Sequence, residues 1–126
     1  MKIATPLLAL SALLAASSPV LAAPGEMNVA TFVAKADALK AKGAMAMFSS
    51  DLSLLTSEGR AAGAAYHARL DAERAAGHPS SCPAKGTKVN SDQLMGFLAK
   101  YPAPARAHIT MRAAMADYFI HTYPCK

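Results

Sequence analysis

The sequence has no tryptophan, only two cysteines and few charges, with Asp, Glu, Lys and Arg together making 17% of 126 residues. That length allows one domain, which excludes a two-domain enzyme, a multi-span channel and a large cofactor-binding fold. Missing too are the G-x-S-x-G, H-E-x-x-H, Walker and G-x-G-x-x-G patterns, and with them the common nucleophile, zincin and phosphate-loop signatures. Nor is there a run of basic residues. The lysines and arginines stand singly from Lys35 to Arg112, whereas a nucleic-acid footprint would be clustered, so no nucleic-acid partner is expected. No stretch alternates apolar and polar residues as a half-buried strand would. The apolar fraction of 53% overstates the core, because alanine alone supplies 30 residues. Alanine buries little area and is the strongest helix former.

The N-terminus reads as an address. Met1-Lys2 gives a positive start, an apolar run follows from Ile3 to Leu14, and Ser17-Ser18-Pro19 breaks any helix. Val20-Leu21-Ala22 then places small residues at the −3 and −1 positions of a cleavage site. This order is that of a secretory signal peptide, residues 1–22, cut after Ala22. An uncleaved anchor is the competing reading, but Ser17-Ser18-Pro19 falls where an anchor needs continuous helix. No cysteine follows the apolar run, which excludes a lipoprotein. The expected mature domain, 23–126, carries 12 basic and 8 acidic residues and has no membrane segment once the leader is removed. It is expected in the periplasm or outside the cell.

In an oxidising compartment the even pair Cys82 and Cys125 reads as a disulfide. A rival reading uses the repeat H-x-x-x-C, which occurs at His78–Cys82 and at His121–Cys125. The four side chains are a Cys₂His₂ set that could take zinc in tetrahedral geometry. His78 lies in a Gly-His-Pro loop, which favours the disulfide, and no metal or other cofactor is expected.

Periodicity places four helices. Val29 to Lys42 carries Phe32, Ala36 and Leu39 on one face, with Asn28 or Thr31 to cap it and Gly43 to end it. A short apolar link, Ala44 to Phe48, leads to the cap signal Ser49-Ser50-Asp51. A long helix then runs from about Leu52 to Ala76, its apolar stripe being Leu52, Leu55, Gly59, Ala62, Tyr66 and Leu70. Glu58 is expected off that stripe and Asp71 to pair with Arg74. Gly77 and Pro79 close the helix. Gly77 to Val89 is the one real loop. Asn90 and Gln93 have the spacing of a capping box for a third helix, whose apolar face is Leu94, Phe97, Leu98 and Tyr101. Pro102 and Pro104 stop it, and a fourth helix is expected from about Ala105 to Thr122, with Ile109, Ala113, Ala116 and Ile120 in one row and Met115 and Phe119 beside it. The methionines beyond Met1 read as core residues rather than a copper-binding set. The fold class is therefore all-α: a small bundle of about four helices, stapled by one disulfide.

The segment from Ser81 to Cys125 carries a pattern of its own. Cys82-Pro83 opens it, Val89 and Gln93 follow, then Leu98 and Tyr101-Pro102, then Ala113-Ala114-Met115-Ala116-Asp117, and Tyr123-Pro124-Cys125 closes it. This resembles the Rap/Tai immunity-protein family, small exported helical proteins that protect bacteria against type VI secretion effectors, chiefly peptidoglycan amidases. The resemblance covers about 45 residues and matches Cys82 and Cys125 to the family's paired cysteines. It implies a helical binding protein without catalysis, with a protein partner such as an amidase effector. It also leans to a homodimer, for which the alanine- and glycine-rich face of the long helix would serve as well as for internal packing. No partner-contacting residue is carried over. Occluding a cleft needs a rigid projecting element, and the Ser80–Asn90 loop, with Lys85 and Lys88, is the candidate contact; an ordinary connector is the alternative. The second functional class is a periplasmic structural or chaperone-like protein that binds unfolded clients through apolar helix faces.

Overall fold

The computed structural model describes residues 23–126, so the expected leader and its cleavage after Ala22 lie outside the described residues. Four α-helices form: α1 (Val29–Lys42), α2 (Ser50–Ala75), α3 (Ser91–Leu98) and α4 (Met111–Thr122). Two 3₁₀-helices stand between them, at Gly43–Phe48 and Ala103–His108. The class is all-α, a small bundle closed by one disulfide. Among the described residues no helix is long and apolar enough to cross a membrane.

Local chemistry sets the helix ends. Asn28 caps α1 by accepting from the Thr31 amide at 2.8 Å, and Ser49 caps α2 through the Asp51 amide. Asn90 and Gln93 form the full reciprocal box at the start of α3. Each cap satisfies an amide that has no partner within its own helix. Gly43 takes φ +57°, the left-handed region that ends α1. The C-terminal carbonyls of α3 are met by Arg106, whose guanidinium donates to the Ala99 and Tyr101 carbonyls at 3.0 Å each.

Packing centres on α2 against α4, the most extensive helix pair. Tyr66 stacks on Phe119 with ring centres 4.1 Å apart, and Leu70, Met111 and Met115 are buried with them. α1 and α3 close the remaining sides through Val29, Phe32, Leu39, Leu94 and Leu98.

Four expectations are corrected. The fourth helix does not start at Ala105, because Ile109 and Thr110 are extended and Thr110 caps α4 through the Ala113 amide. The cause is non-local. Residues 25–29 run antiparallel to 109–112, with Val29 N–H donating to the Ile109 carbonyl, Met111 to Met27 and Arg112 to Gly25. That short ladder wins over the helix propensity of an alanine-rich stretch. The buried residues of α4 are Met111, Ala114, Met115, Ala116, Tyr118 and Phe119; of the expected row Ala116 is buried, while Ala113 is exposed.

On α2, Glu58 is not off the stripe but buried, at 6% exposure. Its carboxylate accepts from the Gly25 amide at 2.7 Å and the Met27 amide at 3.3 Å. Gly25, with φ +92°, lies directly against the backbone of Ala61 and Ala62. Ala61 and Ala62 of α2 thus admit a close extended segment, while α4 packs on the same helix. The ion pair along α2 is Arg69–Glu73 at 2.7 Å, four residues apart, rather than Asp71 with Arg74. The fourth correction concerns methionine: Met45 and Met47 are at the surface.

Candidate functional site

The loop from Gly77 to Asn90 is held at every few residues. The Ser80 amide and hydroxyl both donate to Glu73, at 2.9 and 2.6 Å. Ser81 is fully buried and shares a 2.7 Å hydrogen bond with the Tyr66 hydroxyl. The Cys82 amide donates to the Tyr123 carbonyl at 2.7 Å, and Cys82 is bonded to Cys125 with Cα atoms 4.9 Å apart. Beyond that anchor the chain makes a tight turn from Ala84 to Thr87, with Gly86 at φ +82° as the third turn residue. Lys85 sits on this turn and Lys88 just past it, both exposed. Neither forms an ion pair among the described residues. The loop is therefore fixed at its base, with both lysines free of ion pairs among the described residues.

The Ser80 hydroxyl, the Arg69 guanidinium and the Ser80 amide draw the Glu73 carboxyl from its ordinary 4.5 down to about 2. A depressed folded value means that this link contributes above pH 4.5 and is lost as pH falls toward 2. Ser80→Ala is expected to move the Glu73 carboxyl titration, followed by carbon-13 NMR, back toward 4.5, and to loosen the loop in acid before the helices unfold.

The disulfide uses both sulfurs and so removes two of the four ligands of the zinc alternative. All four histidines are exposed: His67, His78, His108 and His121. Among the described residues no group of three or more His, Cys, Asp or Glu is placed to hold a metal ion. Tyr101 donates to Asp117 at 2.6 Å, and burial together with that carboxylate raises the phenol well above its ordinary range. This pair ties the end of α3 to α4.

A second projecting element was read from sequence only as a link. The 3₁₀-helix Gly43–Phe48 turns Ala46 inward and leaves Met45, Met47 and Phe48 at 66%, 79% and 85% exposure. Three residues per turn put Met45 and Phe48 on one side. Leu52 and Leu54 at the start of α2 extend the same apolar tip. Single exposed apolar residues are ordinary, whereas three within four residues are not. The only available sequence signal was an apolar run lying between two strong helix boundaries.

Beside the tip, a half-open cavity of about 460 Å³ lies between α1, α2 and the start of α3. Its floor is Phe32, Leu39, Leu55, Leu94 and Met115, and Lys40 and Arg60 stand at its rim. The stapled loop reaches it through Val89 and Asn90. Comparison with protein-family models, with curated proteins and with solved structures finds no match to this chain.

Proposed function

We propose that this chain is an exported, periplasmic binding protein that neutralises a cell-wall-degrading effector by blocking its cleft, with no catalysis of its own. The observation that carries this reading is the exposed apolar tip Met45–Met47–Phe48 on a scaffold fixed by caps and a disulfide. Buried aromatic and methionine anchors supply most of the energy of a typical protein interface. A projecting element of that composition suits entry into a substrate groove. The resemblance of residues 81–125 to the Rap/Tai immunity family suggests the class of partner, a peptidoglycan amidase effector, and the disulfide is compatible with an oxidising compartment.

The test is protection of cells that receive a type VI amidase effector in the periplasm. The oxidised chain is expected to preserve viability. Met47→Asp with Phe48→Asp is expected to weaken effector binding at least 100-fold, about 2.7 kcal/mol, without lowering the melting temperature. Lys85→Glu with Lys88→Glu tests the loop in the same assay. Protection lost only with the lysine variant would move the contact to the loop; absence of protection by the unaltered chain would overturn the reading.

A chaperone-like protein is the second reading, and the two exposed methionines favour it specifically. Flexible, polarisable Met side chains suit surfaces that accept many sequences. It predicts weak binding of many unfolded clients and binding of an apolar dye by the native protein.

A further inference from the structure

We propose that the cavity between α1, α2 and α3 binds a small amphiphilic anion, a single alkyl chain with a carboxylate or phosphate head. This site adjoins the tip through Leu52, and its ligand does not depend on the protein-partner reading. Its volume of about 460 Å³ falls within the roughly 300–1,000 Å³ of small-molecule sites, which are mainly apolar with a few placed polar groups.

Charge selects the ligand class. Lys40 and Arg60 line the cavity, and no carboxylate does. Among the described residues the ion pairs are Lys35–Asp51, Arg69–Glu73 and Arg112–Glu26, so neither rim cation is neutralised by an acid. Glu58, the carboxylate nearest to Arg60 along α2, faces Gly25 and Met27 instead. Asn90 and Ser91 add the start of α3 to the wall, and with it the partly positive end of a helix. An alkyl chain would rest on Phe32, Leu55 and Leu94, with its head between the two cations.

Gly59 keeps the space open. A glycine inside a helix destabilises it relative to alanine. Packing does not demand it here, because a Cβ at position 59 would meet nothing within 4 Å. Gly63 and Gly96 stand equally open, but only Gly59 lines this cavity.

The experiment is a titration of isotope-labelled 23–126, disulfide intact, with decanoate, decyl phosphate, decanol and decyltrimethylammonium below their micelle concentrations. Saturable one-to-one binding of an anionic ligand is expected, shifting the Leu55, Gly59 and Leu94 amides and at least tenfold tighter than the trimethylammonium compound. The preferred head among the two anions separates a fatty-acid-like ligand from a phosphate ester. Lys40→Gln with Arg60→Gln should reduce that preference to within threefold. Gly59→Leu should abolish binding while the melting temperature holds or rises, since leucine favours helix over glycine. Equal affinity for all head groups, no saturable binding of either anion, or unchanged binding by the Gly59→Leu protein would overturn the proposal.

Discussion

Reducing the Cys82–Cys125 bond is expected to destabilise the domain by about 4 kcal/mol, the chain-entropy value for a closed loop of this size. The bond spans 43 residues and encloses α3, the second 3₁₀-helix and α4. α4 holds six of the fifteen buried hydrophobic residues, so the staple restrains the part of the chain that completes the core. Small domains have about 5–15 kcal/mol in total, and the loss is a large share of that. For a domain of this length it translates into a fall in melting temperature of roughly 15–30 °C. Both cysteines are exposed, so a reductant reaches them in the folded state. The double substitution Cys82→Ser with Cys125→Ser should give the same loss and become insensitive to reductant. A melting temperature within about 3 °C of the oxidised protein would show that the native packing, not the staple, holds α4 in place.

Glu58→Ala is expected to cost about 3 kcal/mol, the upper range for losing charge-assisted hydrogen bonds and leaving a buried donor unpaired. The Gly25 amide it serves is buried against Ala61 and Ala62. The damage spreads along the chain, because residues 25–29 carry the ladder that fixes 109–112 and so the start of α4. Hydrogen exchange should show this directly: the Met111 and Arg112 amides, which donate to Met27 and Gly25, lose protection before the centre of α2 does. Glu58→Gln retains an acceptor of the same shape and should lose less than half as much. Full stability in the alanine variant would mean that the N-terminal segment is held by its ladder alone.

Most of the helical frame was legible because its signals are local. Asn28, Ser49, Asn90 with Gln93, and Gly43 each act within a few residues of their own position, and each acts as its residue type suggests. The cysteine pair was legible from count and compartment together. What escaped the sequence depends on partners distant in the chain. Glu58 stands at the right spacing for the buried stripe, three residues after Leu55 and four before Ala62, but its charge argued for solvent. The Gly25 and Met27 amides, 33 and 31 residues earlier, make its burial favourable. Ile109 and Thr110 read as helix until residues 25–29 paired with them, although Thr110 is itself a capping residue. Met45, Met47 and Phe48 show the converse, apolar by type yet left outside because the turn between α1 and α2 faces Ala46 inward. The cavity joins three elements around Gly59, and no single segment announces it.

In the function proposed above, the chain binds and blocks a cell-wall-degrading enzyme through its apolar tip. The most direct measurement is peptidoglycan hydrolysis by a purified type VI amidase effector, titrated with oxidised 23–126 and with the Met47→Asp/Phe48→Asp protein. The account predicts that hydrolysis stops at one equivalent of the unaltered chain and continues in the presence of the tip variant. Hydrolysis unaffected by a large excess of the unaltered chain, across amidase effectors of this class, would contradict it.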